Sequence, residues 1–285
     1  MKILAGPSSQ LLASRVAREI KCDLALIEFK KFPDGELYLR IADELDDEAL
    51  IIQSTVTNDD VISLLQLIDA ASDCYVRVVV PYFGYARQDK QFKPGEPVSA
   101  RVIAKSIVAD EVFLINVHNT STLGHFNLRT KTKAINLSAA RIVGNHLRGM
   151  HFGSPLVISP DEGAVQLVRD TARAMEAEYD VLVKKRLSSE EVIIQPKHLA
   201  VDNKEVVIVD DMISTGGTMS EAIKLLRSQG AREVHIACIH PVLSQNARLL
   251  LYNAGAESII ATDTIERAES IISVAPLIKE GLQLS

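Results

Sequence analysis

The sequence has little of what would place a protein outside the cell, in a membrane or against a polyanion. Only three cysteines, Cys22, Cys74 and Cys238, occur in 285 residues. Their number is odd and their spacing fits no metal site, so they read as buried reduced thiols of a cytosolic protein. Positive charge is not in excess: 31 Lys and Arg against 37 Asp and Glu leave a net charge of −6. That balance argues against nucleic acid as a partner and requires any phosphate to be held by local groups. No apolar run approaches membrane-spanning length, and the opening MKILAGPSSQ has no signal-peptide core, so a cytoplasmic chain without a membrane partner is expected. Two familiar phosphate-binding patterns, G-x-x-x-x-G-K-[ST] and G-x-G-x-x-G, are also missing.

What is present is a globular balance, 47% apolar and 24% charged, in a chain long for one core and suited to two domains. One stretch organises the rest. Val206-Val207-Ile208-Val209 is a short run of β-branched residues, as expected of a strand buried on both faces of a parallel sheet. Asp210 and Asp211 stand where that strand ends. Ile213-Ser214-Thr215-Gly216-Gly217-Thr218 then leads into a helix whose apolar face is Met219, Ala222, Ile223 and Leu226. Gly216 and Gly217 allow close backbone approach, the hydroxyls donate, and the helix start offers N–H groups at its positive end. A phosphate cradle with two acids at its mouth points to a phosphorylated sugar. Each half alone reads as a tight turn or a solvated acid pair; their joint placement favours the cradle.

An internal repeat extends the picture. Ala109–His118 (ADEVFLINVH) resembles Ala231–His240 (AREVHIACIH), and each follows a strand, a loop and a helix. Two similar βαβ-based domains in tandem explain this, with sites at the C-terminal ends of parallel strands facing a shared cleft. On that reading the aromatic and charged segment Pro81–Lys90 of the first domain corresponds in place to the phosphate loop of the second. Arg87, Asp89 and Lys90 read equally as a solvated face. Phe32-Pro33-Asp34-Gly35-Glu36 is a hairpin turn by its residues, and its ring and acids could also stack on and accept from a base. Asp161, at the end of the strand Leu156–Ser159, suits a helix cap and a ligand equally. Lys184-Lys185-Arg186 precedes the polar Leu187–Glu191. Strands are further expected at Val181–Val183, Val192–Gln195 and Leu199–Val201, and a closing helix at Ile271–Lys279.

Taken in order, FPDGE (Phe32–Glu36), PYFGYARQDK (Pro81–Lys90), SPDEGA (Ser159–Ala164), KKR (Lys184–Arg186) and VVIVDDMISTGGT (Val206–Thr218) resemble ribose-phosphate diphosphokinase, or phosphoribosyl diphosphate synthetase, in its compact archaeal form. The resemblance spans nearly the whole chain; the last motif alone is shared with type I phosphoribosyltransferases. It implies an α/β fold of two tandem type I phosphoribosyltransferase-like domains, each a mainly parallel sheet flanked by helices. Residues 1–145 would form the ATP side and 146–285 the ribose 5-phosphate side, the last helix packing on the first domain. It also implies transfer of the diphosphoryl group of ATP to the 1-hydroxyl of ribose 5-phosphate, with Mg²⁺ as cofactor.

By the same resemblance Phe32, Asp34 and Glu36 hold adenine, and Arg87, Gln88 and Asp89 the ATP phosphate and ribose region. His118 and Asp161 match metal positions, and Lys184 and Arg186 are the catalytic pair. Asp210 and Asp211 take the ribose hydroxyls, and Ser214, Thr215, Gly216, Gly217 and Thr218 the 5-phosphate. Asn116 stands where many members carry Asp two residues before the metal-site His, and an amide is a weaker Mg²⁺ ligand than a carboxylate. A homodimer or larger homo-oligomer with shared ATP sites is implied as well. Two rivals are a type I phosphoribosyltransferase, which leaves FPDGE and YARQDK unexplained, and a non-catalytic regulatory relative, whose mark would be loss of Lys184 and Arg186 or of the ribose acids.

Overall fold

A computed structural model of the chain describes residues 1–128, 131–182, 184–186, 192–194 and 199–283. They divide into two compact units, each with its own sheet. The first unit comprises Met1–Ser138, Thr264–Glu266 and Ser273–Ser285. Its strands are β1 (Lys2–Ala5), β2 (Ile27–Lys31), β3 (Leu37–Ile41), β4 (Glu48–Ile52), β5 (Tyr75–Val80), β6 (Glu111–Ile115) and β7 (Lys133–Leu137), with helices α1 (Gln10–Ile20), α2 (Asn58–Ala70) and α3 (Ser99–Ser106). A five-stranded sheet runs β1-β4-β5-β6-β7, parallel throughout. Consecutive residues such as Leu50, Ile51 and Ile52, or Val78, Val79 and Val80, are fully buried, because both faces of this sheet are covered.

Helix α2 starts where Thr57 and Asp60 cap each other reciprocally. The Asp60 N–H donates to Thr57 Oγ1 at 3.2 Å, and the Thr57 N–H donates to Asp60 Oδ2 at 2.7 Å. Apart from the main sheet, β2 and β3 form an antiparallel pair of their own. It is seated on α2, where Gln66 Nε2 donates to the Leu37 carbonyl at 2.8 Å.

The second unit comprises Ala139–Asp263 and Arg267–Ile272. It contains α4 (Ala140–Arg148), β8 (Leu156–Ser159), α5 (Val165–Met175), β9 (Glu178–Val181), β10 (Lys184–Arg186), β11 (Val192–Ile194), β12 (Glu205–Met212), α6 (Gly217–Ser228), β13 (Glu233–His240), α7 (Ala247–Asn253), β14 (Ser258–Thr262) and β15 (Ser270–Ile272). Six strands run β15-β14-β13-β12-β8-β9, again all parallel, while β10 and β11 pair antiparallel. The repeated segments take equivalent places: β6 lies beside β5, and β13 beside β12. The boundary expected at 145/146 runs through α4, which belongs to the second unit. There Gly144 permits the contact with α5, since a Cβ at 144 would lie 2.5 Å from the Thr171 carbonyl. The final helix, α8 (Ala275–Gln283), belongs to the first unit and packs on α1.

Several elements differ from expectation. Leu199–Val201 is not a strand, although Leu199 and Val201 are buried. Ile271 lies in β15, and the closing helix starts only at Ala275. Thr120–Leu128 forms 3₁₀ turns that no periodicity announces. Of the cysteines only Cys238 is buried; Cys22 and Cys74 are partly exposed, and all three are free thiols. Val183, Leu187–Glu191 and Gln195 lie outside the described residues, as do the side chains of Lys184 and Arg186.

Candidate active site

In the second unit the site is built on the end of β12. Val206, Val207, Ile208 and Val209 are fully buried. Val206 and Ile208 join the apolar cluster under α6 and α7 that includes Met219, Ile223 and Leu251. Side chains alternate along a strand, so Asp210 continues that face while Asp211 follows Val207 and Val209 on the other, toward α5. The adjacent acids are therefore not equivalent. Burial pushes the Asp210 carboxyl well above the usual carboxylate range, and the charges of Asp211 and then Asp161 push it further. An N–H bond from Asp211 to Asp210 Oδ1, 2.8 Å long, works the other way.

Asp161 follows β8, the neighbour of β12. Its Oδ1 accepts the Gly163 N–H at 2.9 Å, so it does cap the turn after the strand. The same carboxylate bears on Asp210. Cys238, paired with Asp210 across the sheet, is fully buried. Burial and then the Asp210 and Asp211 charges hold its thiol well above its ordinary range, which leaves it inert.

The loop after β12 turns at Gly216, whose φ is +79°. A Cβ there would be strained and would sit 3.3 Å from Leu251 Cγ. Gly217 differs: a Cβ added to it meets nothing within 4 Å, so open space lies over the first turn of α6. That turn carries no acidic residue, and Gly216 gives it no side-chain cap. Thr215, Gly217 and Thr218 are exposed and Ser214 half-buried. The arrangement is an open helix N-terminus edged with hydroxyls, as phosphate binding requires.

In the first unit the tip between β2 and β3 is a tight turn, as its residues dictate. Phe32 N–H donates to the Glu36 carbonyl at 2.8 Å, Gly35 N–H to Phe32 at 2.9 Å, and Gly35 has φ +97°. Phe32, Asp34 and Glu36 are all exposed. The segment after β5 is pinned more firmly. Gly84 N–H donates to Thr55 Oγ1 at 2.8 Å, and a Cβ on Gly84 would fall 2.1 Å from the Thr55 carbonyl. Tyr85, at φ +64°, hydrogen-bonds Asn58. Gln88 accepts from Ser99 Oγ at 2.5 Å, and Asp89 accepts from Asn119 Nδ2 at 2.5 Å. Arg87 is exposed.

The sequence reading missed Thr55, Asn58, Ser99 and Asn119, which hold this segment in shape. The repeat was the signal that could have found Asn119, since it follows β6, the strand beside β5. His118 is exposed. Asn116 has φ +42°, a conformation that Asn and Asp adopt more readily than other non-glycine residues, and its N–H donates to Leu137 at 2.9 Å. Phe32, Asp34, Glu36, Arg87, Gln88, Asp89 and His118 lie in the first unit; Asp161, Lys184, Arg186, Asp210, Asp211 and Ser214–Thr218 lie in the second. Among the described residues no three His, Cys, Asp or Glu side chains converge on a metal position.

Comparison with known proteins follows this division. Residues 1–110 match the family model for the N-terminal domain of ribose phosphate pyrophosphokinase, and residues 130–275 match that of the phosphoribosyl transferase domain. The ribose-phosphate pyrophosphokinase of Methanosarcina acetivorans is 54% identical, with 99% of each chain covered. Ribose-phosphate pyrophosphokinase 2 of Archaeoglobus fulgidus is 43% identical over 99% of this chain and 100% of its own. The crystal structure of phosphoribosylpyrophosphate synthetase from Mycobacterium smegmatis aligns with a TM-score of 0.82 at 27% identity, covering 99% of this chain and 97% of that one. Two sheets in tandem, an open helix N-terminus edged with hydroxyls on the second, and relatives aligned end to end lead to one conclusion: the chain belongs to the ribose-phosphate pyrophosphokinase family.

Proposed function

We propose that this chain transfers the diphosphoryl group of ATP to the 1-hydroxyl of ribose 5-phosphate, yielding 5-phosphoribosyl 1-diphosphate and AMP. The observation that carries the reading is the pairing of a phosphate loop on the second unit with an intact FPDGE turn and YARQDK segment on the first. A phosphoribosyltransferase has no use for that second set, and the full-length kinship at 54% identity supports the synthetase.

In this reading Phe32 stacks on adenine while Asp34 and Glu36 accept from it. Arg87 and Gln88 bind the phosphate and ribose region of ATP, with Asp89 holding the segment through Asn119. Ser214 to Thr218 hold the 5-phosphate at the start of α6, and Asp210 and Asp211 orient the ribose hydroxyls. The 1-hydroxyl oxygen then bonds to the β-phosphorus as the bond from that phosphorus to the α–β bridging oxygen breaks, AMP leaves, and the hydroxyl proton is released. Such a transfer needs alignment and charge neutralisation more than covalent chemistry. Lys184 and Arg186 supply fixed positive charge to the transferring group; Arg can bind its oxygens bidentately.

Mg²⁺ takes oxygen ligands and is held by one or two carboxylates together with substrate phosphates. Asp161, a carboxylate at a strand end that already bears on Asp210, fits that donor chemistry and would hold the ion. When bound, the ion neutralises phosphate charge. The enzyme works on soluble metabolites in the cytoplasm, a reading supported by its three free cysteines, and as a homo-oligomer with ATP sites shared between subunits.

The test is an assay with ATP, ribose 5-phosphate and Mg²⁺. Formation of AMP and phosphoribosyl diphosphate in equal amounts is expected. Diphosphate release from phosphoribosyl diphosphate and a free base would show a phosphoribosyltransferase instead, and nucleotide binding without turnover a regulatory relative.

A further inference from the structure

An anion cradle works only if its carbonyl oxygens face elsewhere, since each exposed one would repel the phosphate that the N–H groups attract. In this chain two carbonyls of the phosphate loop are taken up by a segment 30 residues away in sequence. Leu243 N–H donates to the Ile213 carbonyl at 2.8 Å, and Ser244 N–H donates to the Ser214 carbonyl at 3.1 Å. The two hydroxyls also meet, Ser214 Oγ lying 3.4 Å from Ser244 Oγ. Ile213 N–H in turn donates to the His240 carbonyl at 3.1 Å, and Ala247 N–H closes the turn on the Ser244 carbonyl at 3.2 Å.

The backbone of this segment is bent to make those contacts. Leu243 has φ +45° and Gln245 has φ +55°, left-handed conformations that non-glycine residues rarely adopt and that persist where the surroundings enforce them. Leu243 is held there by burying its side chain in the cluster beneath α6. The following helix completes the support, because Leu251 and the Ala247 carbonyl fill the space that a side chain at Gly216 would need. The first unit repeats the device: Asn119, after β6, holds Asp89 in the loop after β5.

We propose that residues 241–246 are a brace that sets the donor-inward geometry of the phosphate loop, and that Ser244 is a positioning residue for ribose 5-phosphate acting through Ser214. The proposal rests on the reading that this loop holds the 5-phosphate. It goes beyond that reading in assigning the loop's geometry to a segment outside the loop.

The experiment is calorimetric titration of the full chain with ribose 5-phosphate and, separately, with inorganic phosphate, together with steady-state kinetics. Ser244→Ala should raise Kd for ribose 5-phosphate about threefold to tenfold, the scale of one hydrogen bond, and KM for ribose 5-phosphate in step. KM for ATP and the melting temperature should stay at the wild-type values. Ser244→Thr, which keeps the hydroxyl, should restore binding. On a Ser214→Ala background Ser244→Ala should add nothing, because its effect passes through Ser214. Wild-type affinity in Ser244→Ala overturns the proposal, as does a full independent effect on the Ser214→Ala background. Should the wild-type chain itself bind no ribose 5-phosphate, the functional reading falls and takes the proposal with it; wild-type binding with an unaffected Ser244→Ala variant sinks the positioning role of Ser244 alone.

Discussion

At the scale of single residues, the instructive pair is Asp210 and Asp211. They are neighbours in sequence with opposite surroundings. Asp210 shares a face with Val206 and Ile208 and is held above the usual carboxylate range by burial; Asp211 lies on the face of Val207 and Val209. Substitution should separate them. Asp211→Asn keeps the shape and removes a charged acceptor beside the loop proposed to hold the sugar phosphate, so it should weaken ribose 5-phosphate by roughly 1.5–3 kcal/mol and ATP far less. Calorimetry with each substrate decides, and equal weakening of both would move Asp211 to a metal role. Lys184 offers the contrasting case. Lys184→Ala should leave ribose 5-phosphate affinity nearly unchanged and lower kcat by at least ~10²–10³-fold, the scale of a preorganised charge stabiliser. An unchanged kcat with a raised KM for ATP would make Lys184 a ground-state ligand.

At the scale of elements, legibility follows the range of the forces involved. The run Val206–Val209 marks its strand because burial on both faces demands apolar residues in succession, and that demand is written locally. The FPDGE turn is legible for the same reason: Gly35 at φ +97° carries its own signature. The brace is not. Leu243 and Gln245 adopt left-handed backbone without being Gly or Asn, so no residue type flags the bend, and the partner of Leu243 lies 30 residues back, in the loop after the neighbouring strand. The 3₁₀ turns at Thr120–Leu128 are equally silent, having no apolar period to announce them.

Helix α7 is likewise fixed from a distance. Arg248 grips Glu269 through both carboxylate oxygens, Nε to Oε1 at 2.5 Å and Nη2 to Oε2 at 2.9 Å. The hydrogen bond from Arg248 holds the Glu269 carboxyl below its ordinary range, against the upward push of burial. A folded-state value that is depressed contributes stability above the unfolded value, about 4.3 for Glu, and loses it as pH falls through the folded value. Glu269→Gln should therefore lower stability at pH 7, by about 1 kcal/mol because the exposed side of Arg248 is screened by solvent. The gap to the wild type should narrow as pH falls below about 4.3 and close only below the depressed folded value. Urea melts at several pH values measure it. A gap that stays constant from neutral to acid would assign the loss to packing rather than charge.

At the scale of the molecule, the antiparallel pair β2–β3 stands apart from the main sheet of its unit. The residues that flank its turn are tied to α2, Leu37 through Gln66 and Lys31 by an ion pair with Asp59 at 2.7 Å. Its tip is not buried: Phe32 is 48% exposed, meeting only the edge of the Tyr38 ring among described ring contacts, at 6.2 Å. If the exposed ring of Phe32 and the acids that follow it enter a site on another chain, a two-fold pair would satisfy two such sites with one repeated contact. Complementation tests this. A Phe32→Ala/Glu36→Ala chain is mixed with a Lys184→Ala chain, each inactive alone. If tips are donated across subunits, one site of each mixed dimer combines an intact tip with an intact Lys184 and activity returns, while the other site carries both defects. Full occupancy of mixed dimers should then yield half the wild-type sites. If native mass spectrometry shows mixed dimers and they remain inactive, each adenine site is completed within its own chain, and the exposed tip folds onto its own subunit when ATP binds.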